Sequence, residues 1–261
     1  AMLYGMGTIT ADSWEFRDGY TQPVGLPAYN AAGYVEYRTR ELTINAASVV
    51  VRCGSNRMNV KAVASSTWRV EATGQRESED VPALDIGATG NPTRVEVSGG
   101  DAGVLTADET TARTVATLAV TGDESRVTLG RLLTATALDM DRGRVDTFGT
   151  VTTATVGRGE YTQHDGTIVT LNAWGGYIRL NHEGTVTTVK ANGRGAGDPG
   201  PVVDCEANNR ARTFTNSEFI GGAYLLDENK SVTLTDGGTH TADAAFFANA
   251  RLGPRVTWDR A

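Results

Sequence analysis

The chain has little of what most functional classes depend on. It carries two cysteines in 261 residues, Cys53 and Cys205. So wide a separation admits one disulfide but no disulfide framework and no zinc-ligand spacing; two buried free thiols are the simpler expectation. Basic charge is short: 24 Lys and Arg stand against 31 Asp and Glu, a net charge of -7. Phosphate recognition needs a basic patch, so nucleic acid is not an expected partner. No apolar run approaches the roughly 18 residues that a membrane helix needs, so no membrane insertion is expected. Met2 to Gly7 offers neither a basic segment nor a long apolar one, and no signal peptide is expected. A Walker-type phosphate loop, a Gly-x-Ser-x-Gly elbow and a Cys-x-x-Cys pair are all missing, so no cofactor is expected. Leu-rich amphipathic segments are nearly absent, which leaves little from which to build helices.

What the chain does have is glycine, 31 residues of it, with abundant Thr and Val. Most runs are short and β-branched and end in Gly, Asp or Asn, the pattern of strands and turns. Hydrophobic residues make up 39% and charged residues 21%, enough for a folded core.

The turns recur. Gly149-Thr150-Val151, Gly166-Thr167-Ile168 and Gly184-Thr185-Val186 share one pattern, and their glycines are almost evenly spaced. Gly130 continues the spacing upstream and is expected to be a fourth member. Two positions beyond these glycines stand Leu132, Val151, Ile168 and Val186; five beyond, Ala135, Ala154, Leu171 and Val189; seven beyond, Ala137, Val156, Ala173 and Ala191. Apolar columns at a fixed period are what a solenoid requires, because each coil returns to the same place about 4.8 Å along the axis. The step from plus two to plus five breaks strict alternation and predicts a bend there. The expected fold is therefore all-β: a right-handed parallel β-helix over 42–250, with coils of about 17–19 residues. The segment from Gly193 to Gly200 is a loop interrupting the stack. Residues 1–41 are irregular and aromatic, with Trp14, Phe16 and Tyr20, and are expected to cap the first coil or to dock on a partner. Residues 251–261 are expected to cap the other end.

Few residues suggest chemistry. His164-Asp165-Gly166 and His182-Glu183-Gly184 place two imidazoles at equivalent corners, where His164 and His182 are expected as neighbours. These two imidazoles with the carboxylates of Asp165 and Glu183 are candidates for a divalent metal, although an ordinary polar ladder at a turn is the expectation. Asp139, Asp141 and Glu160 are the candidate catalytic carboxylates. Counting from Gly130 and Gly149 sets Asp139 beside Arg158 as an ion pair and Asp141 beside Glu160. Thr150/Thr152 and Thr185/Thr187 suggest a hydroxyl ladder of the ice-binding kind, but Thr167/Val169 interrupts it and no further coils are seen to extend it.

The Gly-Thr-Val coils between Gly130 and Gly193 resemble parallel β-helix proteins of phage and virus particles, such as tailspikes, fibres and capsid decoration proteins. The likeness is architectural and covers about a quarter of the chain. It implies a non-catalytic virion component that forms a homo-oligomer, a trimer, and contacts other virion proteins and in some cases glycans. The same architecture serves adhesins and polysaccharide lyases. The alternative is therefore an extracellular or cell-surface protein that binds or cleaves polysaccharide, using Asp139, Asp141 and Glu160 with Trp174 and Tyr177 as stacking platforms.

Overall fold

The computed structural model describes residues 2–4, 7–16, 22–24, 28–29, 35–36, 42–52, 58–62, 66–71, 84–88, 90–106, 110–193, 200–206, 210–228, 231–243 and 259–260. Every regular element among them is a β-strand. Two compact units are present, Ala1–Thr134 and Ala135–Ala261.

The first unit contains β1 (Met2–Tyr4), β2 (Gly7–Phe16), β3 (Gln22–Val24), β4 (Ala28–Tyr29), β5 (Val35–Glu36), β6 (Leu42–Val51), β7 (Met58–Ala62), β8 (Thr67–Val70), β9 (Leu84–Ala88), β10 (Arg94–Val97), β11 (Asp101–Thr106), β12 (Arg113–Val120) and β13 (Arg126–Leu129). One parallel track runs β2, β6, β8, β10, β12. A second runs β6, β7, β9, β11, β13. The register stacks Val49, Trp68, Val95 and Leu118 in one column and Val51, Val70, Val97 and Val120 in another. All eight are fully buried. Parallel pairing thus reaches back to Gly7, inside the stretch expected to be an irregular cap.

The second unit holds β14 (Leu133–Met140, entering from the first), β15 (Arg144–Thr147), β16 (Thr150–Val156), β17 (Glu160–Gln163), β18 (Ile168–Ala173), β19 (Tyr177–Leu180), β20 (Gly184–Asn192), β21 (Val202–Asp204), β22 (Arg212–Ile220), β23 (Tyr224–Leu226), β24 (Val232–Leu234), β25 (His240–Ala242) and β26 (Asp259–Arg260). Long strands β16, β18, β20 and β22 form one parallel track. Short strands β15, β17, β19, β21 and β23 form the other. This arrangement is compatible with a parallel β-helix.

The interior follows the expected columns. Val151, Ile168 and Val186 are buried, as are Ala154, Leu171 and Val189, and Val156, Ala173 and Ala191. Phe214, Ser217 and Phe219 continue the three columns in β22. Burial along β20 falls at Val186, Val189 and Ala191, so the side-chain alternation is broken once, at the expected bend. At the corners, backbone passes over backbone. Gly159 (φ 83°) and Gly166 (φ 69°) adopt left-handed conformations, and a Cβ on either would meet a carbonyl of the preceding coil at 2.2 or 2.3 Å.

The Gly130 coil requires a correction. Leu132 is exposed, Ala137 is partly exposed, and the buried residues of β14 in this unit are Ala135, Leu138 and Met140. Their three-then-two spacing matches Val151, Ala154 and Val156, and Gly157 N–H donates to Met140 O at 2.7 Å. Val151 therefore follows Ala135 in its column rather than Leu132, and this coil is shorter than the spacing of Gly130 and Gly149 suggests. Gly130 instead closes a tight turn, accepting from Leu133 N–H at 3.1 Å. At the other extreme, the coil from Val186 to Phe214 is much longer than its neighbours and includes the expected loop after Gly193; 194–199 lie outside the described residues.

Candidate functional site

The side chains of β15, β17, β19 and β21 that alternate with the core residues Val145, Tyr161, Ile178 and Val203 fall into two columns, in which Asp146, Thr162 and Asp204 are buried. Arg144, Glu160, Tyr177 and Val202 share one; Asp146, Thr162, Arg179 and Asp204 share the other. A connected set of polar contacts runs along them. His164 Nε2 lies 2.8 Å from Asp146 Oδ1, and its ring stacks on Phe148 with centroids 4.7 Å apart. Arg144 Nε donates to Asp146 Oδ2 at 2.9 Å, and Arg144 Nη1 lies 3.8 Å from Glu160 Oε2. Arg179 pairs with the same Glu160 and stands 4.0 Å from Asp204 Oδ2. Tyr177 completes the chain: its hydroxyl donates to Asp204 Oδ2 at 2.6 Å, and its ring lies under the Arg179 guanidinium, 4.7 Å away.

The electrostatics follow from these contacts. Burial alone would raise the Asp146 carboxyl, but hydrogen bonds from His164 and Arg144, with the Arg144 charge, hold it at about 2. The Tyr177 hydroxyl is pushed up by desolvation and by its bond to Asp204. Each carboxylate of the face already accepts from an arginine, a tyrosine or a histidine. The set can tie successive coils together and can present guanidinium and aromatic surfaces to a polar polymer.

Of the three candidate carboxylates, only Glu160 joins this face. Asp139 and Asp141 are exposed at the end of β14, and Asp141 pairs with the adjacent Arg142 at 3.4 Å. Because this coil is short, Glu160 stands beside Arg144 rather than Asp141. The same shift removes Arg158 from the side of Asp139. The like-charge pair and the ion pair counted from Gly130 are therefore not formed.

The two histidines part as well. Gln163 pairs with Leu180, and Asn181 N–H donates to Gln163 O at 2.8 Å, so Asn181 rather than His182 follows His164 in the stack. His164 faces outward onto Asp146. His182 is buried, 1% exposed, with no hydrogen-bond partner at either ring nitrogen. Burial and the nearby Arg212 and Arg210 lower it to about 4, against the opposing charge of Asp165. Among the described residues no three His, Cys, Asp or Glu side chains converge as a metal set. The third histidine, His240, is buried at the start of β25, with Nδ1 2.9 Å from Ser217 Oγ.

The proposed docking residues divide. Trp14 is partly exposed on β2 in register with Val49, and Phe16 lies in register with Val51. Tyr20 lies outside the described residues. Cys205 is a free buried thiol whose ionisation burial pushes up; Cys53 lies outside the described residues. Trp174 is 39% exposed at the corner before β19, while Tyr177 is partly exposed on the charged face.

Sequence reasoning missed Arg144, Asp146, Arg179 and Asp204. Their signal was Arg-x-Asp in β15 and a single arginine or aspartate in β19 and β21, strands too short to register without the coil lengths. It also missed the reach of the threonines. Thr185 pairs with Thr213 and Thr213 with Thr233, and Thr150 and Thr167 immediately precede the paired Val151 and Ile168, so the ladder Thr150, Thr167, Thr185, Thr213, Thr233 crosses five successive coils, with Thr167 just ahead of β18. Thr167 Oγ1 donates to Thr150 Oγ1 at 3.4 Å. Compared with known proteins, the chain matches no protein-family model, no curated protein and no solved structure.

Proposed function

We propose that the chain is a non-catalytic structural protein of a phage or virus particle, a capsid decoration, spike or fibre component acting as a rigid assembled scaffold. The observation that carries this reading is the ladder of ion pairs and hydrogen bonds from His164 and Asp146 to Tyr177 and Asp204, in which every carboxylate is committed to a neighbouring arginine, imidazole or hydroxyl. Such a ladder stiffens a stack and leaves no idle general base. Long coil faces favour self-association in closed symmetry, here as a trimer. Trp14, Phe16 and Tyr20 are the anchors assigned to docking on other virion proteins, because large aromatics dominate interface energetics. Light scattering tests the assembly: a trimer is expected, and a monomer at micromolar concentration would remove that part.

A second reading has its own observation. Tyr224 is 45% exposed and in register with Val202, so the column of Tyr177 carries a second aromatic, with Trp174 close by in sequence. Aromatic faces beside arginines suit a polysaccharide laid along the coils. Release of reducing or unsaturated ends from a polysaccharide panel, abolished by Glu160→Gln, would replace the structural reading with this one. No release is the expected result.

A further inference from the structure

We infer that His182 is an acid-operated latch on the C-terminal coils of the second unit, residues 212–228 and 231–243. Its side chain is enclosed in the turn between β19 and β20, with both ring nitrogens unpartnered. Buried polar atoms are almost always hydrogen-bonded, so an exception is informative. The strand that follows its turn brings it to Arg212: Gly184 pairs with Arg212, and Gly184 N–H donates to Ala211 O at 3.2 Å. The charges that act on the ring are those of Arg212 and Arg210, from the stretch that enters β22, and of Asp165, from the turn between β17 and β18. Glu183, next in its own turn, is exposed.

Arg212 is what the latch acts on. It is 1% exposed, and its Nη1 donates to Cys205 O at 2.7 Å, to Arg210 O at 2.7 Å and to Ser231 Oγ at 3.2 Å. Ser231 is held in turn by Asp227, whose Oδ1 accepts from the Ser231 amide at 2.8 Å and from its hydroxyl at 2.7 Å. Three stretches meet at this guanidinium: the segment after β21, the start of β22 and the start of β24. A neutral imidazole beside it adds no charge. An imidazolium adds a second buried cation with a new N–H donor, and among the described residues Asp165 is the carboxylate that offsets it.

The proton is therefore held more weakly in the folded chain than in the unfolded one. Stability is full above the ordinary imidazole value, about 6.5, and declines as pH falls towards about 4. Arg212 binds C-terminal coils, so β22, β24 and β25 loosen before β16 and β18.

Hydrogen exchange on the full chain tests this, read as protection factors across that pH window. The wild type should lose protection in 212–228 and 231–243 by on the order of 100-fold, the limit set by the shift, while 150–173 keeps its own. His182→Leu and His182→Gln should each remove the loss. Unchanged protection in the wild type, or the same loss in either variant, overturns the latch. Direct titration of the His182 ring by NMR gives a reading that needs no variant: a midpoint at or above the ordinary imidazole value also overturns it.

Discussion

Two corners of the second unit carry the same short motif, a histidine, an acid and a glycine, and end in opposite states. At the first, His164 turns outward, stacks on Phe148 and contacts Asp146. At the second, His182 turns inward beside a buried arginine and finds no partner. The difference is a matter of coil length. Gln163 pairs with Leu180 from β17 to β19, and Thr170 with Thr188 from β18 to β20, so the second advance in register is longer by a single position. The extra residue is taken up in the turn that contains His182. A single insertion in a tight corner reverses which side of the chain faces the interior, so a motif repeated in sequence need not repeat in chemistry.

Substitution in the column beneath both corners should have the largest effect. Ile168→Asp or Val186→Asp places an unpaired carboxylate in the interior and should cost ~3–5 kcal/mol at either corner alike. Unchanged melting temperatures would show that these positions are not core. Next is Arg212→Met, which leaves the carbonyls of Cys205 and Arg210 and the Ser231 hydroxyl without their shared donor, at about 2–3 kcal/mol. It should also weaken, without abolishing, the acid response of the second corner, because burial, the larger cause of the lowered His182, remains; melting temperature against pH measures this.

At the first corner, Asp146→Asn should cost about 2 kcal/mol at neutral pH. The sign follows from the depressed carboxyl. Its contribution is complete above the ordinary value of 3.8 and disappears as pH falls through about 2. Wild type and Asp146→Asn should therefore converge in strong acid, below the window in which His182 acts. Smallest is Glu160→Gln, below about 1 kcal/mol, because the pair is partly solvated; a double-mutant cycle with Arg179→Met measures it.

Much of the fold was legible in the sequence. Val151, Ile168 and Val186 advertise a coil because interior columns must be apolar at a fixed period. The bend was legible too, because breaking alternation between Val151 and Ala154 has only one geometric outcome. The Gly130 coil was not, because a glycine-bounded turn looks the same wherever it falls, and only the burial of Leu138 and Met140 reveals the shorter step. That error carries straight into the candidate site, pairing Asp139 with Arg158 and Asp141 with Glu160. The charged face was hidden for a related reason: Arg144, Asp146, Arg179 and Asp204 acquire meaning only once the unequal coil lengths are known. The threonine ladder was cut short by the long coil between Val186 and Phe214, which moves Thr213 out of the expected period.

The fold and the charged face both depend on successive coils stacking in parallel register, and one distance tests that directly. Spin labels at Thr150 and Thr233 lie at the two ends of the threonine ladder, four strand steps apart. Pulsed electron resonance should return a separation centred near ~19 Å, four times the spacing between adjacent strands. It should shorten by one step for Thr167 and Thr233 and by two for Thr185 and Thr233. Distances that fail to change in equal steps, as they would if these segments paired as antiparallel hairpins, would contradict the stacked-coil account.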